Sequence, residues 1–487
     1  MTESADNLLP WGVLCRARRR TPRPFGRHGT DQLFHGSCLH VSMDLEGYVR
    51  RRLAAGDREE EIAPGLARSL EEWKGVPGEY ARELAGAVIE EVRNTRTARG
   101  DLFEFTPAGV TMGDFGVGSR GKGDFYAHRQ IARIIGRTGA AVGVDEMDDA
   151  GVVSARGSFI ACTVDGMHSR LSDYPFLAGF HATRATLRDV YVMGARPVAL
   201  FSDIHVADDG DVGKILDYTA GITAVGEATG VPLVAGSTLR IGGDMVIGDR
   251  MTGCVGAVGV AEHLTPRRAA APGDAILMTA GAGGGTIATA AIYSGHPEVV
   301  ERTINLHFLH ACQALLDSPV LSGIHAMTDV TNGGLRGDAH ELAATAGAKV
   351  VIGEENLRRL VDPEVLTLLD TLGIDYLGVS LDALLVVAPP EAAPGILRVV
   401  KGCGVPMEEV GRVEHGRPES VLVVDGREQD FSPRFRESPY TPVKKVVDRR
   451  VKDFEAMKKG VDLAAEAAIA KKKRILARLR TGAGTRP

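Results

Sequence analysis

Between positions 148 and 197 the chain repeatedly sets a carboxylate at the edge of an apolar run. Asp148-Asp149-Ala150 opens one such run. Asp165 closes the run at 159–164, and Asp189 interrupts a helical pattern that includes Leu187, Val190 and Met193. Carboxylates at the edges of core elements can converge, and several hard oxygens together suit Mg²⁺ held against a polyphosphate. Upstream, Gly118-Ser119-Arg120-Gly121-Lys122-Gly123 belongs to a Gly-rich stretch that precedes a helical pattern with Ile131, Ile134 and Ile135 on one face. Backbone N–H groups of such a loop can approach phosphate oxygens, and Lys122 would neutralise charge that develops during transfer. The spacing is not that of a Walker A loop. Gly236-Ser237-Thr238, after the apolar run 231–234, is a further turn at which backbone could meet the ligand. Taken singly, each aspartate also fits a turn or a cap, and the Gly-rich stretch also fits a loop without a ligand.

The elements that must position these residues follow from periodicity. Strand patterns occur at 140–144, 151–153, 158–164, 198–206, 231–235 and 252–260, with helical patterns at 176–194 and 213–229. Pro266 to Gly273 breaks the pattern. A second α/β unit then begins at Asp274, with strands at 276–279, 349–352 and 383–387. A Gly-rich turn at 281–286 leads into a helix, another helix runs through Leu342, one begins at Glu391, and the last pairings begin at Val410. Residues 43–97 read as helices with stripes Ile62, Leu66, Leu70, Trp73 and Tyr80, Leu84, Val88, Val92. Residues 446–480 read as one long basic helix packing through Val447, Val451, Phe454 and Leu463. The expected division is a disordered leader or mis-assigned start at 1–42, a helical accessory domain at 43–104, α/β domains at 105–266 and 272–428, and a linker with a helical tail at 429–487.

Composition narrows the class. The 487 residues include 60 Gly but only 5% aromatics, which favours backbone-lined ligand loops over aromatic cages. A net charge of −6 gives no general attraction to nucleic acid. The cysteines are scattered without a CxxC pair, as in a reducing, cytoplasmic protein, and no apolar run reaches membrane-spanning length. Cys162 and Cys254 sit in apolar runs and are expected in the core.

Four motifs, in order and spacing, resemble the superfamily of aminoimidazole ribonucleotide synthetase. Its relatives include selenophosphate synthetase, thiamine-monophosphate kinase and the hydrogenase-maturation carbamoyl dehydratase. The motifs are Asp148-Asp149-Ala150, Thr163-Val164-Asp165-Gly166, Arg188-Asp189-Val190 with Met193-Gly194-Ala195-Arg196-Pro197, and Met327-Thr328-Asp329 with Gly333-Gly334-Leu335. The resemblance spans about residues 110–425. It implies a two-domain α/β fold, with an N-terminal mixed-sheet domain that forms a homodimer and an α/β C-terminal domain. It also implies ATP in the cleft, with Mg²⁺ on Asp148, Asp149, Asp165 and Asp189. Asp165 and Lys122 would serve catalysis. Gly118 to Gly123, Gly236, Ser237, Thr238, Asp329, Asn332, Gly333 and Gly334 would bind the nucleotide. Ser237 stands where the family carries a metal-binding Asp, so one carboxylate is missing.

The leading expectation is ATP-dependent phosphoryl transfer to a small-molecule or protein-borne acceptor, without a membrane or nucleic-acid partner. One competing reading is thiamine-monophosphate kinase itself. The other is a non-catalytic nucleotide-binding subunit or scaffold, motivated by Ser237 and the added helices at both ends.

Overall fold

A computed structural model describes residues 44–482, apart from Arg120, Asn332, Arg450 and Val451. The expected leader at 1–42, Arg120, Asn332 and Val451 lie outside the described residues. Three helices come first: α1 (Leu45–Ala54), α2 (Glu59–Lys74) and α3 (Gly78–Thr95). They share a small core containing Ile62, Leu66, Leu70, Val88 and Val92. Trp73 and Tyr80, also expected in these stripes, are instead exposed. Both flank the turn between α2 and α3, past the end of the packed core. The short α4 (Met112–Phe115) and then α5 (Lys122–Ile135) follow. α5 turns Phe125 and Ala132 inward, which leaves Ile131 and Ile135 exposed, contrary to the expected face.

The first sheet contains β1 (Gly151–Ala155), β2 (Ser158–Gly166), β3 (Arg196–Val206), β4 (Leu233–Arg240) and β5 (Met251–Ala261), in the order β1-β2-β5-β3-β4. β3 and β4 pair in parallel and the other neighbours are antiparallel. The pattern at 140–144 forms a single bridge between Val142 and Val152 and no strand, because Gly143 starts a short helical turn at Val144–Glu146. Helices α6 (Pro175–Val192) and α7 (Gly213–Thr229) cover one face of the sheet. Side chains alternate along each strand, so Ala161 is buried while Cys162 and Val164 face outward. The register puts Val153, Val164, Phe201 and Val260 on that same outer face, where Val164 is 59% exposed. Cys162 is therefore exposed and Cys254 half-buried, which corrects their expected core placement.

The second sheet contains β6 (Ala275–Thr279), β7 (Ala326–Val330), β8 (Lys349–Gly353), β9 (Ala383–Ala388), β10 (Met407–Glu414), β11 (Glu419–Val424) and β12 (Arg427–Asp430). Their order is β12-β11-β8-β10-β6-β9-β7. β6, β7 and β9 are buried throughout; β6 and β9 read as apolar runs, whereas β7, with Thr328 and Asp329, is not among the expected strands. Six helices accompany them: α8 (Gly285–Tyr293), α9 (Val300–Thr303), α10 (His307–Leu316), α11 (Gly334–Ala346), α12 (Pro363–Leu372) and α13 (Ala393–Gly402). Leu277, Met327 and Val386 on one face merge with the core of the first sheet through α10 and α13. The opposite face packs on α8, α11 and α12.

The tail is divided. α14 (Pro442–Val447) ends before α15 (Phe454–Gly482) begins, so the single helix expected from residue 446 is interrupted. α15 packs on α5 through Phe454 and the buried Met457, with Phe454 5.6 Å from the Phe115 ring and 5.3 Å from the Phe435 ring. Val447 and Leu463, expected on that face, are exposed.

α6 lies between the two sheets and touches β2, β3, β5, β7, α7, α8 and α10. Pro175 starts it at a position where a missing N–H costs nothing. Gly179 and Gly221 bring α6 and α7 into backbone contact, since a Cβ on Gly221 would collide with the Phe176 carbonyl. Gly221→Val is expected to destabilise the protein by about 1–3 kcal/mol through overpacking. Urea unfolding of the two proteins measures this directly.

Candidate active site

A cleft of about 200 Å³ opens where α6 meets the ends of both sheets. Asp165 enters it at the end of β2. Its N–H donates to Thr186 Oγ1 at 3.1 Å, and Thr186 in turn donates to the Val255 carbonyl at 2.6 Å. Asp189 comes from α6 and accepts a hydrogen bond from Thr163 Oγ1 at 3.0 Å. Asp148 and Asp149 precede β1. The Arg267 N–H donates to Asp148 Oδ2 at 3.0 Å, and the Arg267 guanidinium pairs with Asp149. Thr328 Oγ1 donates to Asp149 Oδ2 at 2.8 Å. Asp329, from β7, lies 3.1 Å from Arg188 Nε. Five carboxylates contributed by both α/β units thus line one cleft.

Three arginines hold this arrangement. Arg184 and Arg188, one turn apart on α6, both pair with the buried Asp382. Asp382 has a left-handed backbone, φ +57°, which is uncommon for a non-glycine residue. Arg184 also donates to the carbonyls of Thr303, Asn305 and Gly283 at 2.6–2.9 Å. Burial opposes the charge on Arg188, but Asp382 and Asp329 outweigh it and raise its pKa. Asp149 and Glu341 do the same for Arg267.

The carboxylates respond in the opposite sense. Burial pushes Asp149 up to about 6 and raises Asp148 as well. Asp189 is raised well above the usual carboxylate range, first by burial and then by repulsion from Asp165, Asp329 and Asp149. Burial and Lys444 lower His168 to about 4, while burial and Arg184 hold His181 well below the ordinary imidazole value. The five cleft carboxylates, with Asp382 and Glu341, outnumber the three arginines, and burial disfavours their ionised forms, so a divalent cation would stabilise the carboxylates. Among the described residues, no three acidic, histidine or cysteine groups are close enough to enclose an ion unaided. Mg²⁺ usually takes one or two carboxylates and completes its shell with water and phosphate oxygens. The donor set fits an ion that arrives with a polyphosphate.

The other singled-out residues are dispersed. Gly118, Ser119 and Gly333 line a neighbouring cavity, which meets the cleft at Thr286. Gly334 opens α11 beside the Leu377 carbonyl. Gly121 and Gly123 are close-packing positions, where a Cβ would strike the backbone of Phe435 and Phe115 respectively. The Lys122 N–H donates to the Arg434 carbonyl at 3.0 Å, and its charge is felt by Asp430 and His340, both outside the cleft. Gly236, Ser237 and Thr238 lie exposed on the edge strand β4, away from the cleft lining.

Sequence reasoning missed Arg184, Arg267, His168, His181 and the Gly284–Gly285–Thr286 corner at the start of α8, all of which line the cleft. The available signal was Arg184 and Arg188 at an i, i+4 spacing, with His181 and Asp189, inside a helix otherwise rich in small and apolar residues. Arg267 fell in the stretch taken as a break between domains.

The sequence pattern of the AIR synthase related protein, N-terminal domain, matches residues 147–261, and that of its C-terminal domain matches residues 271–424. "Uncharacterized protein MJ1416" of Methanocaldococcus jannaschii is 52% identical over 443 residues, covering 88% of this chain and 97% of that protein. A selenide, water dikinase of Citrifermentans bemidjiense is 34% identical over 232 residues. That match spans 47% of this chain and 65% of the dikinase, less than two thirds of its length. The structure of the hydrogenase maturation protein HypE in complex with ATP superposes with a TM-score of 0.50 at 22% identity, covering 67% of this chain and 98% of that one. At that identity the similarity speaks for the fold. With both domain patterns matched in order around the acidic cleft, the chain belongs to the AIR synthase related family.

Proposed function

We propose that this chain is an ATP- and Mg²⁺-dependent phosphotransferase or synthetase acting on a small-molecule or protein-borne acceptor. The convergence of five carboxylates with three buried arginines in one cleft carries this reading. Asp148, Asp149, Asp165 and Asp189 would hold Mg²⁺, whose charge, once bound, would neutralise the oxygens of a transferring phosphoryl group. Arg184 and Arg188 are fixed before any ligand arrives, so they present positive charge without reorganisation. The amide groups of Gly285 and Thr286 at the start of α8 suit phosphate oxygens. Asp165 lines the cleft near Asp189, which suits it to orient the reacting groups. The ATP bound by HypE and the dikinase activity of the bacterial relative support this assignment by kinship.

A homodimer and a cytoplasmic setting belong to the same reading. The outer face of the first sheet exposes Val153, Val164, Phe201 and Val260 together, and a contiguous apolar sheet face of this kind suits burial against a second copy. Among the described residues, no helix is long and apolar enough to cross a membrane.

Two outcomes follow. Asp165→Asn should lower the rate of ADP release from ATP by about a hundredfold or more, in the range for loss of one preorganised electrostatic group, with an unchanged circular dichroism spectrum. A rate equal to that of the parent would remove Asp165 from the site. Light scattering should give twice the chain mass, and Val164→Glu should shift it to the monomer. A monomeric parent would contradict the dimer.

A further inference from the structure

The cavity next to the cleft, about 170 Å³, has walls that both family patterns leave out. One wall is the turn at 113–119, which precedes residue 147. The other is the strap at 436–448, which follows residue 424. Arg436 ties them together by donating to the carbonyls of Gly113 and Asp114. Val117, Val379, Pro439 and Val443 make the lining largely apolar. Gly378 keeps the floor open, because a Cβ there would press on Glu437 Oε2 and Ser438 Oγ.

Two carboxylates and two cations line this cavity, but their pairing leaves Lys444 over. Glu437 is neutralised by Arg336 at 2.7 Å and also accepts from the Arg434 N–H at 2.7 Å. Asp448 pairs with Arg436 at 3.4 Å. Lys444 remains. Its ammonium stands 3.8 Å over the Tyr440 ring, and among the described residues it has no carboxylate within ion-pairing distance. Tyr440 meets His168 edge to face at 6.3 Å, and His168 lies 3.2 Å from Thr286, the residue shared by cavity and cleft.

We propose that this cavity is the acceptor pocket, taking a small organic oxyanion whose apolar body lies against Val117, Val379 and Val443 and whose charged end is held by Lys444 beside Thr286. This rests on the phosphotransferase reading for the word acceptor, but not for the binding of the acid. An anionic acceptor needs no proton removed. One of its oxygens forms the bond to the γ-phosphorus, the bond from that phosphorus to the β-phosphate oxygen breaks, and ADP leaves with the electron pair. Two of the pocket's walls, at 113–119 and 436–448, lie outside both family patterns, whereas Thr286, Gly333, Gly378 and Val379 belong to the C-terminal one, so the acceptor is set jointly by the appended segments and the family core.

Ligand-observed NMR titrations of the full chain test this with benzoate, phenyl phosphate, benzyl alcohol and benzylamine as probes, beside a separate titration with a non-hydrolysable ATP analogue and Mg²⁺. At least one of the two anions should bind about tenfold or more tightly than the alcohol and the amine, the scale of one charge-assisted contact. Which anion binds tighter separates a carboxylate from a phosphate monoester. Lys444→Gln should erase that preference, and Val443→Trp should abolish binding of both anions while nucleotide binding persists. Equal binding of all four probes, binding of none, or a preference surviving in Lys444→Gln overturns the pocket. Anion binding without nucleotide binding upholds the pocket and overturns the phosphotransferase reading.

Discussion

The structure depends on two arginines of one buried helix sharing a single aspartate. Arg184 and Arg188 leave α6 one turn apart, and both end on Asp382, which closes the segment before β9 in a left-handed conformation. Charges this deeply buried persist only when paired, and removing one partner typically costs about 3–5 kcal/mol. The pairing therefore locks the first sheet's central helix to the second sheet. It also fixes where Asp189, the next residue on α6, faces Asp165 and Asp329. The cleft follows from that lock, with Arg267 repeating the device on the Asp148–Asp149 side.

Surplus negative charge gives the cleft its chemistry. Two units each contribute carboxylates, and the five in the cleft, with Asp382 and Glu341, face only three arginines, while burial raises Asp149 and Asp189. A site in this condition gains most from a ligand that brings its own cations. Around it, the family core is supplemented by α1–α5 before residue 147 and by the strap and α15 after residue 424. These additions clasp one another: Phe454 packs among Phe115, Tyr126 and Phe435, and Lys452 pairs with Asp114. They line the neighbouring cavity and leave the carboxylate constellation alone.

Much of this was legible because the informative residues sit at edges of strongly periodic elements. Asp165 follows an apolar strand pattern and Asp189 interrupts a helical one, whereas Asp329, near the end of β7, was legible only through the family resemblance. Local pattern failed where strand alternation or a distant segment decides the environment. Cys162 reads as core, yet strand alternation turns it to the uncovered face of the sheet. Ile131 and Ile135 read as a buried stripe, yet α5 packs through Phe125 and Ala132. Lys122 looked like a phosphate ligand within a Gly-rich loop. The glycines beside it instead serve close backbone packing against Phe435 and Phe115, which no local rule distinguishes from a phosphate cradle. Arginines buried by partners about 200 residues away, such as Arg188 with Asp382, carry no signal in a periodicity plot.

The central claim is that the cleft's carboxylates bind a nucleotide through a divalent cation. Isothermal titration with a non-hydrolysable ATP analogue, with and without Mg²⁺, on the parent chain and on Asp189→Asn tests it most directly. The account predicts saturable binding by the parent only when Mg²⁺ is present, and its loss in Asp189→Asn. Binding of equal strength without the cation, or none under either condition, would contradict it.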